Sequence, residues 1–232
     1  MRDIAGHWHT SCITCNIYLS GYAPGWAGDK RGMATAANPF DWSGGHPALD
    51  FVNTVDERPS PQPIERIGDY AALVRFAELA GLITPKQASR LRKHKGAGLQ
   101  KLARDARMLR EELFAVLAAS HRRTKLPPRA MRGLTAAISR AHAARVLAGS
   151  HGPGLISYDW ASPDAAEVPL RACALAVADL LTGEDRKRIR KCGASDCAVY
   201  FIDRSKGHRR HWCSMTNCGN REKQRRWRAQ ES

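Results

Sequence analysis

Apolar residues along most of this chain recur at three- and four-residue spacing, which predicts helices. Over 69–82, Leu73, Phe76, Ala77 and Ala80 form one stripe, and Gly81 ends it. Thr84 and Pro85 open the next helix. Thr84 is the N-cap, Pro85 takes the first helical position, Gln87 closes a capping box, and the helix runs to about His94. The longest pattern covers 99–122 and aligns Leu102, Ala106, Leu109, Leu113, Val116 and Leu117. Pro127 and Pro128 begin a fourth helix that ends near Ala143. A further helix is expected from Ser162 and Pro163 to Leu181, with Leu170, Cys173, Ala174, Val177 and Leu181 inward. In that stripe Cys173 reads as a small core residue, not a nucleophile.

The helical period breaks in several places. The run 46–55 is too short to separate helix from strand. The Pro-rich stretch 59–63 reads as a turn or linker. Within 144–160, two short apolar-aromatic runs flank a His-Gly-Pro-Gly turn, the mark of a β-hairpin. Residues 1–37 show no sustained period and read as a disordered extension, with Met33 a natural start. That stretch contains Cys12-x2-Cys15 behind His7 and His9, but these ligands crowd together with no partner element to build a metal knuckle. The fold class expected is mainly α with a small β-hairpin. A helical domain over 38–183, with its hairpin near 144–160, precedes a smaller module over 186–230.

Charge sharpens that division. The chain carries 37 Lys and Arg against 22 Asp and Glu, a net +15. From Arg186 to Arg228 there are 14 basic and 3 acidic residues, so this short module holds +11 of the +15. Such concentration is an electrostatic footprint for a polyanion. No apolar run reaches the roughly 18 residues a membrane helix needs, and the start of the chain lacks the layout of a signal peptide. A soluble, cytoplasmic protein is expected. In that reducing setting clustered cysteines are metal ligands or free thiols rather than disulfides.

The basic module contains Cys192-x4-Cys197, fifteen intervening residues, and Cys213-x4-Cys218. Two cysteine pairs at this separation suit a tetrahedral structural Zn2+, one knuckle returning to face the other. His208 and His211 are alternative ligands, but His211 lies only two residues before Cys213, and using it would orphan a cysteine. Arg190, Lys191 and Arg221 lie close enough in sequence to offset the formal charge of a zinc tetrathiolate. A strand is expected over 199–202, with 209–212 pairing to it, and the segment after Cys218 favours a helix. The product is a treble-clef-like or ribbon-like finger, a hairpin followed by a helix. Arg221, Arg225 and Arg228 fall on one face of that helix, with Lys223 and Arg226 beside it and Trp227 expected to pack back on the module near Trp212. With Arg209 and Arg210 they form the candidate nucleic-acid contacts. About six phosphate contacts would give a log–log salt slope of roughly −5.

These residues resemble a known family. The run from Cys213 to Arg221, CysSerMet-x2-CysGlyAsnArg, follows a Cys-x4-Cys pair and the phrase PheIleAspArgSer, and it resembles the CGNR zinc finger. The phrase from Gly45 to Thr54, with the helix over 69–82, looks like the ABATE domain that accompanies that finger. The resemblance covers about 38–230. It implies a stress-induced bacterial transcriptional regulator with a sensor-like helical domain and a DNA-binding finger. The family's four cysteines correspond to Cys192, Cys197, Cys213 and Cys218, and its Asn and Arg to Asn220 and Arg221.

Outside the finger, His46, Asp50, Asn53, Thr54 and Arg58 form the densest polar cluster. It reads first as capping and turn hydrogen bonds, and alternatively as a pocket for a small effector with Trp160 as an aromatic wall. No nucleophile–base pair, phosphate loop or HExxH motif is present, so an enzyme is not expected. The expected partners are duplex DNA, a small effector and a second copy of the chain. An RNA-binding zinc protein and a zinc-stabilised protein-interaction module are the alternatives.

Overall fold

The computed structural model describes residues 38–149 and 156–231. The expected extension over 1–37, with His7, His9, Cys12 and Cys15, and the turn at 151–154 lie outside the described residues.

The ambiguous run 46–55 is a short helix, α1 (Pro47–Val52). His46 caps it: its ring Nδ1 accepts from the Ala48 amide at 3.1 Å, and Pro47 occupies the first turn. All six residues of α1 are buried. The Pro-rich stretch turns the chain between β1 (Val55–Asp56) and β2 (Ile64–Glu65), a small antiparallel pair. Then come α2 (Tyr70–Leu79), α3 (Pro85–Leu91), α4 (Gly98–Arg122) and α5 (Pro128–Ala143). Asp69 caps α2, and the Thr84–Gln87 capping box opens α3. Strands β3 (Arg145–Gly149) and β4 (Ile156–Trp160) pair as the expected hairpin.

The last helix of the bundle, α6 (Val168–Thr182), starts later than Ser162. Residues after Ser162 form turns, and Pro169 sits in the first turn, where its missing amide costs nothing. Rather than one stripe, α6 buries Ala172 through Val177 without a break, because α1, α2, α4 and α5 pack around it. Cys173 lies in that core, and burial pushes its thiol well above the ordinary range, so it stays protonated and inert.

One core runs through the bundle. Phe40, Trp42, Phe51 and Phe76 meet in it, Trp42 stacked on Phe76 with centroids 5.7 Å apart. Each fully buried Leu or Phe here contributes about 1.5–3 kcal/mol. A buried cation pins the small sheet to α4: Arg110, 3% exposed, donates to both Glu65 oxygens at 2.7 and 2.6 Å and to Thr54 Oγ1 at 3.0 Å. A hydrophobic pattern gives no notice of such a residue.

Beyond α6 the chain makes a short turn and enters β5 (Ile189–Lys191), which pairs antiparallel with β6 (Tyr200–Ile202). This differs from the expected pairing of 209–212 with that strand. The first cysteine knuckle is itself the turn of the hairpin, so β6 returns to the strand before the knuckle. Strand alternation then makes β6 a shared element. Tyr200 and Ile202 belong to the core of the helical bundle, while Phe201 on the opposite face belongs to the cysteine cluster.

Helix α1 and its cap form the seat for β6. Asn53 donates from Nδ2 to the Tyr200 carbonyl at 3.0 Å and accepts the Tyr200 amide at 3.1 Å. The Ile202 amide donates to the Gly44 carbonyl at 2.8 Å, and Phe114 of α4 meets the Tyr200 ring edge-on at 5.7 Å. Gly44 has no room for a side chain: a Cβ there would lie 2.7 Å from Asp50 Oδ1, which accepts the Gly44 amide at 2.9 Å.

Candidate metal centre and nucleic-acid interface

Cys192 leaves β5, and Cys197 closes a tight turn by donating its amide to the Ala194 carbonyl at 3.1 Å. A Cβ at Gly193 would lie 2.2 Å from His211 Nε2, so a larger residue would displace that ring. The Gly193 amide donates to the His211 carbonyl at 2.9 Å, which draws 209–212 across the knuckle. That segment therefore covers the site without joining the sheet. Asp203, buried, organises its approach by accepting from Ser205 and from the Arg210 amide at 3.0 Å. Burial alone would raise its carboxyl, and these hydrogen bonds hold it below the usual range.

Cys213 and Cys218 come from the second turn. Ser214 accepts the Asn217 amide at 3.3 Å, capping a wide π turn (Met215–Gly219) that leads directly into α7 (Asn220–Arg228). The four sulfurs of Cys192, Cys197, Cys213 and Cys218 all lie within 4.8 Å of one another. Neither His208 nor His211 joins them. The Cys197–Cys213 and Cys213–Cys218 sulfurs are 3.9 and 3.6 Å apart. A tetrahedral zinc with bonds of about 2.3 Å sets its sulfurs about 3.8 Å apart, so the cluster has the size of that ion.

Electrostatics gives the same answer. Hydrogen bonds from Cys197 and Cys213 lower the Cys192 thiol, and that interaction in turn raises Cys197 and Cys213. Burial and the Cys192 charge raise Cys218. Four sulfurs this close become thiolates together only around a cation. Several groups already favour negative sulfur: backbone hydrogen bonds from Ala194 to Cys192 and from Val199 to Cys197, the Cys213 amide pointing at Cys192 Sγ at 3.4 Å, and Arg221 Nη2 at Cys218 Sγ at 3.3 Å. The site fits one structural Zn2+. Four protein ligands leave no position open for a substrate.

Two family models match these parts. One is the ABATE family, described as a putative stress-induced transcription regulator, over residues 45–184. The other is the CGNR zinc finger, over 188–231. The chain belongs to the ABATE family. It is a zinc-binding member with a CGNR finger at its C-terminal end. No curated protein matches the chain. The matched families are of regulator and zinc-finger types. Among the described residues, no helix is long and apolar enough to cross a membrane.

The seven candidate nucleic-acid contacts in this ABATE-family finger fall into two groups. Arg221 and Arg225 both bind Asp196 in the first knuckle, at 2.9 and 2.6 Å. They hold its carboxyl below the usual range against the effect of burial. Arg210 donates from Nε to the Trp212 carbonyl at 2.9 Å and also to the Cys213 carbonyl, and its guanidinium lies 4.4 Å from the centre of the Phe201 ring. These three arginines build the finger. Arg209, Lys223, Arg226 and Arg228 are exposed, with Arg226 reaching over Trp212 at 5.8 Å. Trp227, expected to pack on the module, is instead 69% exposed.

The polar cluster near α1 is engaged throughout. Besides its capping role, His46 contacts Asp179 through Nε2 at 3.0 Å, and Asp50 and Asn53 hold the seat of β6. Thr54 donates to the Phe51 carbonyl at 2.7 Å. Arg58 grips both Glu111 oxygens at 2.7 and 2.9 Å above the Phe114 ring. Trp160 packs against the bundle core at the base of the β3–β4 hairpin. A cleft of about 960 Å³ between 53–60 and the finger is lined by Asn53 and Arg58 but not by His46, Asp50 or Trp160. Two of the four expected effector residues, Asn53 and Arg58, thus line this cleft.

Proposed function

We propose that this protein is a transcription regulator that binds duplex DNA through its finger, with zinc as a structural anchor. The observation that carries the reading is the confinement of +11 of the net +15 charge to one small metal-organised module. Zinc does no chemistry in this scheme. It fixes the turn from which α7 emerges, and Asp196 fixes the face that α7 turns inward. Arg209, Lys223, Arg226 and Arg228 then meet the phosphates. A DNA-binding regulator with four reduced thiols works in the cytoplasm.

About four phosphate contacts give a log–log salt slope of about −3.6 on duplex DNA, shallower than six contacts would give. Competition binding at two salt concentrations, against duplex DNA and structured RNA, tests the reading. The expected result is preference for duplex, with Arg209→Ala plus Arg226→Ala lowering the slope by about 2 at unchanged zinc content. Preference for RNA would assign the finger to that polymer instead, and no affinity for either would sink the proposal.

A further inference from the structure

Among the α-helices of the described residues, α7 differs from the rest because none of its residues is buried. Its one large apolar side chain, Trp227, is 69% exposed, and its ring has no aromatic partner among the described residues. The helical period shows where that ring points. With about 100° per residue, Arg225 lies about 40° from Arg221, and both reach Asp196 on the finger. Lys223 and Trp227 lie about 200° and 240° from Arg221, on the side away from the finger. Met215, 62% exposed, lies on the other side, lining the cleft beside Asp196 and Arg221. It lies over Gly219, where a Cβ would sit 2.9 Å from its sulfur.

Lys223 therefore lies about 40° from Trp227 on this outward face, and Arg226 is the neighbour of Trp227 in the chain. A helix that docks into a protein groove presents a stripe of apolar side chains. Helix α7 has one in nine residues, the rest being polar or charged. An isolated ring among cations suits stacking on a base between phosphates, since every base offers a π face and every phosphate a charge. We propose that Trp227 stacks on a base of the bound DNA, with Lys223 and Arg226 on flanking phosphates. This assignment rests on the DNA-binding reading and adds a preference: a duplex whose bases unstack easily is bound more tightly than one that resists.

Anisotropy measurements with the full-length zinc-loaded protein test it. Two duplexes are used, identical except for one mismatched pair. The wild-type protein is expected to favour the mismatched duplex by about tenfold, the scale of one base–aromatic stack. Trp227→Ala should bind both duplexes equally, and Trp227→Phe should keep part of the preference, all at wild-type zinc content. A general loss of stickiness would weaken both duplexes alike and leave the ratio in place. Duplex binding with the ratio unchanged in Trp227→Ala, or no preference in the wild type, overturns the assignment alone. Failure of the wild type to bind either duplex overturns the DNA-binding reading as well.

Discussion

In the helical bundle, Phe40, Leu49, Phe51, Leu73, Phe76, Leu113 and Leu134 are all but fully buried in one continuous core. The finger's own core holds Phe201, Ala194 and the cysteines, with Val199 and Trp212 at its margin. So little apolar area cannot offset the conformational entropy of ordering the segment that carries it. The bundle's packing is supplied by side chains, whereas the finger relies on a metal and on a borrowed strand. That strand is β6, whose Tyr200 and Ile202 sit in the bundle while Phe201 faces the cysteines. The two parts are structurally joined but differ in what can unfold them.

Loss of one ligand is the strongest way to break that comparison. Cys197→Ser should release zinc and unfold the finger, because a structural zinc contributes about 10 kcal/mol or more of folding free energy. The bundle should still melt cooperatively, since no cysteine ligand belongs to its core. Metal analysis with thermal unfolding checks both halves of the expectation. Retained zinc would show that three cysteines suffice to hold the ion, and collapse of the bundle with the finger that the two parts unfold as one.

The sequence reveals these two parts unequally, for physical reasons. Helices α2 to α5 are legible because their signals are local: the Asp69 cap, the Thr84–Gln87 box and the stripe from Ala106 to Leu117 lie within a few turns of each other. The cysteine ligands are legible because only a metal explains their spacing. The start of α6 is misread because Ser162 and Pro163 imitate a cap, although Pro169 is the proline that marks the first turn. The pairing of β6 is misread because two candidate strands flank it, and the choice is made by the knuckle between Cys192 and Cys197. The inward face of α7 depends on Asp196, more than twenty residues away in sequence, which periodicity cannot register. For the same reason the polar cluster of His46, Asp50 and Asn53 shows its density in the sequence but not its partners on the finger and α6.

A second experiment sharpens the comparison at the joint. Asn53→Ala removes both hydrogen bonds to Tyr200 and leaves a buried amide and carbonyl without partners. The expected cost is about 1–3 kcal/mol for each orphaned group. Chemical denaturation of the zinc-loaded protein should then separate into two transitions, the finger losing its tie to the bundle while keeping its metal. Asn53→Asp keeps an acceptor for the Tyr200 amide but no donor for the carbonyl, and should fall between. A single transition of unchanged midpoint in Asn53→Ala would show that the Tyr200 and Ile202 side chains suffice to hold β6.

The smallest effect belongs to the outermost element. Nine residues make only a marginal helix in isolation, and α7 has no buried side chain to stabilise it. What holds it is the π turn at its start and the grip of Arg221 and Arg225 on Asp196. Those side chains are each 42% exposed, so water screens the pairs and they contribute little to stability. Asp196→Ala should therefore lower amide protection in α7 modestly while α2 and α4 keep theirs. DNA affinity is the wrong readout for this variant, because removing an acid from a basic surface strengthens phosphate binding by itself. Hydrogen exchange separates the two effects. Unaltered protection in α7 would mean that the zinc-anchored turn alone orients the helix, with Arg221 and Arg225 then available to the phosphates.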